Sequence, residues 1–345
     1  MAMDYRSLGR TGIKVSPLCL GAMMFGVRGN PDHDDCVRII HRAMDAGINF
    51  IDTADVYSAG ESETIVGKAL SRVARENFVL ATKVHGQMGD DPNAVGNSRR
   101  WIMAECDNSL RRLGVDYIDL YQIHRPDPSV DIEETLGALT DLQRAGKIRA
   151  FGSSTFPAYQ LVEAQWVAER RGLSRFYTEQ PPYSILFRGI EADVLPVAQQ
   201  YGLGVLPWSP LAGGWLSGRY GQGRENVSHR AVGQFASRYD VSRPENQLKL
   251  EIVTELSDLA DKAGVTLVEL ALAFVLEHPA ISCAIIGPRT MEQLETQLAA
   301  PEVSLSEEIL DAIDSLVAPG TNVVQRELGY DPPSVVHAAL RRRSA

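Results

Sequence analysis

DIEETLGALTDLQRAGKIRAFGSS, from Asp131 to Ser154, holds one full beat of the chain's rhythm. In its first part Ile132, Leu136, Leu139 and Leu142 recur at helical spacing on one face, and Gly146 follows as a stop. The next unit begins at once with IRAFGSS, whose apolar run from Ile148 to Gly152 reads as a strand. A helix joined so closely to a strand is the unit of a parallel sheet, because parallel neighbours need a crossover between them.

Working outward, the same pattern recurs along the chain. Strands are expected at Leu18 to Ala22, Asn49 to Thr53, Phe78 to Thr82, Tyr117 to Ile123, Ile148 to Gly152, Phe176 to Gln180, Gly204 to Pro207 and Cys283 to Ile286. Eight strands with seven helices between them fit a closed (β/α)8 TIM barrel, with an open doubly wound sheet as the competing arrangement. The strand count favours closure. Before the first strand, YRSLGRTGIKVS has turn residues between two short extended stretches and reads as a hairpin at the barrel's base. Leu211 to Asn246 is too long and glycine-rich for a simple connection, and a covering flap is expected there. SLSEEILDAIDSLV reads as an extra C-terminal helix, followed by a tail from Pro319 to Ala345. The whole chain, 1–345, is expected to form one barrel domain.

Composition narrows the function. Hydrophobic residues at 44% and charged residues at 23% of 345 are the values of a folded globular protein with a large core. A net charge of -10 and a pI near 5.3 repel phosphate backbones and anionic membranes, so nucleic acid and membrane are unexpected partners. Cys19, Cys36, Cys106 and Cys283 form no CxxC pair, no HExxH is present, and no apolar run is long enough for a membrane span. Together with an N-terminus lacking a secretory apolar stretch, this points to reduced thiols, no metal and a cytoplasmic location.

Chemistry in a closed barrel sits at the carboxyl ends of the strands. Asp52 and Tyr57 follow GINFI, Lys83 ends NFVLATK and His124 ends DYIDLYQIH, so the four come from three consecutive strands. Each alone has a bland explanation: a turn aspartate, a packed aromatic, a solvated lysine, a core histidine. Together they suit proton transfer to a carbonyl oxygen. A nearby ammonium favours phenolate and makes a phenol a better acid, Asp52 can supply the counter-charge for a buried lysine, and His124 can orient the carbonyl oxygen.

GINFIDTADVY, ATK, YIDLYQIHRPD, FGSSTF, LPWSPLAGG and IIGPRTMEQL, in this order, resemble the motifs of the aldo-keto reductase superfamily, from Tyr5 to about Val317. SLGRTGIKVSPLCLGAMMFG and HRPDP resemble the branch that includes potassium-channel β subunits and bacterial reductases. The resemblance implies NADPH-dependent reduction of a small-molecule aldehyde or ketone, with Asp52, Tyr57, Lys83 and His124 as the catalytic set. It also implies cofactor contacts. Ser153, Ser154 and Gln180 match positions that hold the nicotinamide carboxamide, although the family often has asparagine where Ser154 stands. Trp208 matches an aromatic that stacks under the nicotinamide ring. Ser209, Pro210, Leu211, Gly213 and Arg219 match the segment around the pyrophosphate. Gly287 opens a stretch in which Arg289 resembles the partner of the 2′-phosphate, and Gln293 and Gln297 resemble adenine contacts; asparagine is common at the last. Met23, Phe25, Tyr57, Trp101, His124 and Trp215 are candidates for the substrate pocket, because the family builds it from loops at the barrel mouth.

Two other readings stay open. A barrel lyase would use Lys83 as a Schiff-base nucleophile, and a regulatory subunit would hold the cofactor with little turnover. Other dehydrogenase patterns are absent: no GxGxxG follows a strand, and no tyrosine has a lysine four residues later.

Overall fold

The computed structural model describes residues 4–220, 233–324 and 329–340. Two short strands, β1 (Arg6–Ser7) and β2 (Lys14–Val15), pair antiparallel as the expected hairpin. The eight that follow are β3 (Leu18–Gly21), β4 (Phe50–Asp52), β5 (Val79–Val84), β6 (Ile118–Ile123), β7 (Ile148–Ser154), β8 (Thr178–Gln180), β9 (Gly204–Val205) and β10 (Ala284–Ile286). They lie parallel in chain order from β3 to β9, and β10 pairs with the other side of β3. The ring closes through backbone bonds: Ser282 N–H donates to the Val205 carbonyl at 2.9 Å and Ile285 N–H to the Pro207 carbonyl at 2.9 Å. The architecture is a (β/α)8 barrel.

Strand phase explains the two halves of the core. Side chains alternate across a strand, so Cys19, Phe50, Val79, Ala81, Leu120, Ala150, Leu206, Cys283 and Ile285 pack inside the barrel. Leu8 and Val15 from the hairpin join them and plug the base. The intervening residues, such as Leu20, Ile51, Leu80, Tyr121 and Phe151, face outward and pack under the helices.

Six helices make the crossovers from β3 to β9: α1 (His33–Asp45), α2 (Glu61–Leu70), α3 (Arg99–Leu113), α4 (Ile132–Arg144), α5 (Ala158–Arg171) and α6 (Val194–Tyr201). Among the described residues the last crossover carries two, α7 (Pro244–Ala263) and α8 (Leu267–Glu277), where one was expected. Beyond β10 come α9 (Met291–Glu295), the extra helix α10 (Glu307–Leu316) and α11 (Pro333–Val336). In α4 the predicted stripe of Leu136, Leu139 and Leu142 is buried, and Gly146 takes the left-handed conformation (φ 74°) that ends the turn. The extra helix begins where Ser306 Oγ accepts the Ile309 N–H.

Past α10 the tail runs beside the β8–α6 loop, with Arg188 N–H donating to Thr321 O at 2.8 Å and Val323 N–H to Leu186 O at 3.0 Å. It then returns to the barrel mouth at Gly329, where φ is 80° and any Cβ would meet the Trp208 ring at 3.0 Å. Residues 221–232 of the expected covering loop, and 325–328 and 341–345 of the tail, lie outside the described residues.

Candidate active site

Backbone strain marks one end of the barrel. Ser58, Ala59, Thr155, Ser209 and Ala212 all have φ between 48° and 60°, a region costly for residues with a side chain. All five follow β4, β7 or β9 at their carboxyl ends, in the same turns that present Tyr57, Ser154 and Trp208.

Strand phase brings the predicted set together there. Asp52 and Lys83 both point into the barrel above the apolar layer and are almost wholly buried. Lys83 Nζ donates to Asp52 Oδ1 at 2.5 Å, to the Thr53 carbonyl at 2.8 Å and to Tyr57 Oη at 3.3 Å. The Tyr57 and His124 rings meet edge to face with centroids 5.6 Å apart. Tyr57 and His124 are half-buried at the mouth, while the ion pair lies beneath them. Asp52 is also held on its other oxygen: Oδ2 accepts Gln122 Nε2 at 3.1 Å and Gln180 Nε2 at 3.0 Å. A buried ion pair holds its place only when its remaining bonding capacity is met in this way.

Electrostatics assigns the charges. Burial pushes the Lys83 ammonium down, but Asp52 and then Tyr57 outweigh it, and its pKa ends above the ordinary lysine value. Lys83 is a persistent cation. Burial, reinforced by the positive charges of Arg125 and Lys83, holds His124 well below the ordinary histidine value, so its ring is neutral at pH 7.

Of the predicted cofactor residues, Ser154 faces inward and its Oγ donates to the Gln180 carbonyl at 2.9 Å. Ser153 does not join it. Adjacent residues of a strand face opposite sides, and Ser153 points out of the barrel, where its Oγ donates to Glu179 Oε2 at 2.5 Å. Gln180 reaches the site through Asp52, as an anchor for its carboxylate. Trp208 is half-buried past β9, its N–H bonded to the Pro181 carbonyl at 3.0 Å and its Nε1 buried without a partner among the described residues. Ser209, Pro210, Leu211 and Gly213 form successive tight turns, with Ala212 N–H on Ser209 O and Gly214 N–H on Leu211 O, both at 2.8 Å. Arg219 is half-buried just before the undescribed stretch. Gly287 is exposed after β10, and Arg289 makes no side-chain hydrogen bond or ion pair among the described residues. Gln293 Oε1 accepts the Arg289 N–H at 2.8 Å, and Gln297 is buried with Nε2 on the Gln293 carbonyl at 2.7 Å.

The substrate candidates divide. Met23 is half-buried beside the mouth, but Phe25 is wholly enclosed in the outer core. Trp215 is 1% exposed, stacked on Tyr220 at 4.4 Å and facing Tyr239 at 6.2 Å, so its face is already covered. Trp101 is buried at the start of α3. Phe25 and Trp215 thus pack into the core in this structure.

Three residues that were not predicted stand at the site, Gln122, Arg125 and Thr155, with Glu179 buried behind β8 on its outer face. Gln122 had a legible signal, because it lies two residues before His124 in the inward phase of β6. Among the described residues no cluster of three or more His, Cys, Asp or Glu is placed to hold a metal ion, and no helix is long and apolar enough to cross a membrane.

Residues 17–318 match the sequence model of the family described as Aldo/keto reductase family. The chain is 42% identical to an uncharacterised oxidoreductase, YrpG, of Bacillus subtilis, over 91% of this chain and 96% of that protein. It is 35% identical to a probable voltage-gated potassium channel subunit beta of Oryza sativa subsp. japonica, over 91% of this chain and 97% of that protein. It is 32% identical to versiconal hemiacetal acetate reductase of Aspergillus parasiticus, over 92% and 98% respectively.

Proposed function

Because the chain belongs to the aldo/keto reductase family, we propose that it reduces an aldehyde or ketone to an alcohol with NADPH, Tyr57 supplying the proton. The observation that carries the reading is the line from Asp52 through Lys83 to Tyr57, with Lys83 Nζ 3.3 Å from the phenol oxygen. The mouth fits a nicotinamide dinucleotide: Trp208 offers an indole with an unpartnered N–H, and Arg289 offers a guanidinium with no protein partner among the described residues. Ser154 and Trp208 would flank the nicotinamide, the turns from Ser209 to Arg219 the pyrophosphate, and Arg289 and Gln293 the adenosine end. The segment 211–246 would cover it. When bound, the reduced nicotinamide supplies the hydride that adds to the carbonyl carbon.

The protein's own groups then handle the oxygen. Tyr57 Oη gives its proton to the carbonyl oxygen as negative charge develops there. Lys83, fixed as a cation beside the phenol, stabilises the charge left on Tyr57. Asp52 balances Lys83, and the two glutamine amides keep Asp52 from turning away. Neutral His124 donates a hydrogen bond to the same oxygen without competing as the acid.

A regulatory subunit is a second reading, favoured by similarity to proteins named for potassium channels. A Schiff-base role for Lys83 is disfavoured because its nitrogen is wholly buried, cationic and engaged with three oxygens. Oxidation of NADPH with a panel of aldehydes tests the reading, with Tyr57→Phe as control. Turnover in that variant is expected to fall by roughly 10² to 10⁴-fold, with NADPH binding retained. Near-normal reduction by the variant sinks the assignment of Tyr57, and no reduction of any aldehyde by the unmodified protein favours the subunit reading.

A further inference from the structure

A guanidinium drawn out of water needs an anion, and proteins meet that need with carboxylates. Three arginines of this chain show the rule. Arg75 pairs with Asp119 at 2.5 Å, Arg112 with Glu63 at 2.6 Å, and Arg188 with Glu191 at 2.8 Å. Arg125, directly after His124, breaks it. Its Nε donates to the Gly329 carbonyl at 3.1 Å, and its Nη1 to the His124 carbonyl at 2.5 Å and to Ser154 Oγ at 3.4 Å. Every one of those acceptors is neutral, and Nη2 has no hydrogen-bond partner among the described residues. The charge lies 5.9 Å from the Trp208 ring. Burial holds the guanidinium below its ordinary pKa, and only Tyr57 and Glu179 act in the other direction. Glu179 is already engaged outside the barrel by Ser153 Oγ and the Phe156 N–H.

We propose that Arg125 binds the substrate through an anionic group, so that the preferred substrate is an aldehyde or ketone carrying a carboxylate. The proposal rests on the reductase reading and deepens it. Arg125 sits between His124, Ser154, Trp208 and the returning tail, which is where a substrate with its carbonyl at Tyr57 and His124 would extend. The planar fork matches a carboxylate. With Phe25 and Trp215 withdrawn into the core, the apolar lining that would favour an uncharged aromatic substrate is reduced. In the proposed function the cofactor's phosphates are served by the turns up to Arg219 and by Arg289, which leaves Arg125 for the substrate.

Two aldehydes of matched shape, 4-formylbenzoate and 4-methylbenzaldehyde, test this. Reduction is followed by NADPH absorbance, and binding by tryptophan fluorescence, in the unmodified protein, Arg125→Gln and Arg125→Lys. The unmodified protein is expected to favour 4-formylbenzoate in kcat/KM by roughly tenfold or more, the worth of one charge-assisted hydrogen bond. Arg125→Gln abolishes that ratio, mainly through KM, and Arg125→Lys keeps part of it. NADPH affinity moves by less than about threefold, below half a decade of binding energy. A ratio near one in the unmodified protein, or equal losses for both aldehydes in Arg125→Gln, overturns the proposal. A matching loss of NADPH affinity overturns it too, by making Arg125 a cofactor residue. If neither aldehyde is reduced, the reductase reading fails by itself and Arg125 is judged on binding: charge-selective binding lost in Arg125→Gln sustains it, and equal binding refutes it.

Discussion

Replacing Glu179 with glutamine should change how the protein's stability depends on pH. The side chain is fully buried on the outer face of β8, with Oε2 accepting Ser153 Oγ at 2.5 Å and Oε1 accepting the Phe156 N–H at 3.1 Å. Burial drives its carboxyl from the ordinary 4.5 up to about 7, against those hydrogen bonds and the field of Arg125, which favour the charged form. Between those two values the folded chain holds a proton that the unfolded chain has released, so stability falls as pH rises. The contribution is complete below 4.5 and lost once the pH has passed about 7. At about 1.4 kcal/mol per pH unit, the span amounts to about 3.5 kcal/mol. Glutamine has the same shape, accepts the Phe156 N–H through its carbonyl and offers its amide to Ser153 Oγ, but cannot ionise. Urea unfolding of both proteins from about pH 5 to about pH 8, read from midpoints at a shared slope, measures the difference. The wild type's stability relative to Glu179→Gln should drop by about 2 to 3 kcal/mol across that range. Comparing the two proteins cancels Asp55 and Glu63, whose carboxyls burial also raises. Curves that run parallel would refute the argument, because they would mean that Glu179 ionises in the fold as it does in the open chain.

Two further outcomes separate the readings of the site. Borohydride added with a carbonyl substrate should give no mass adduct on Lys83, since a cation held by Asp52 is a poor nucleophile; a stoichiometric adduct that requires Lys83 would decide for the lyase. Arg289→Ala should weaken NADPH roughly tenfold or more and leave NADH nearly unchanged, one charge-assisted hydrogen bond being worth about 1.5 to 3 kcal/mol; fluorescence titration showing equal losses for both cofactors would remove the basis for naming NADPH.

What the sequence could show divides along the barrel itself. Each strand was visible as an apolar run, and its ends moved by only one or two residues, as at Phe176 to Gln180 against Thr178–Gln180. Asp52, Lys83 and His124 were legible because each ends a strand, and period-two alternation turns neighbouring strand ends toward one axis. The same alternation, pressed further, separates Ser153 from Ser154 and selects Gln122, since a polar residue in the inward phase of an apolar strand needs a partner inside the barrel. Loop residues obey no such period. Trp215 is covered by Tyr239, far along the chain, and Phe25 is enclosed by packing that no local pattern announces. Arg125 is harder still, because its meaning lies in the absence, among the described residues, of the carboxylate that Arg75, Arg112 and Arg188 each have. A charge without a partner is a property of the whole surrounding surface, and short sequence spacings cannot carry it. The convergence of Asp52, Lys83 and His124 was therefore readable from strand phase, while the surroundings of Arg125 have to be read from how loops and tail meet at the mouth. Arg125, held by a strand end on one side and by Gly329 of the tail on the other, is where those two kinds of information meet.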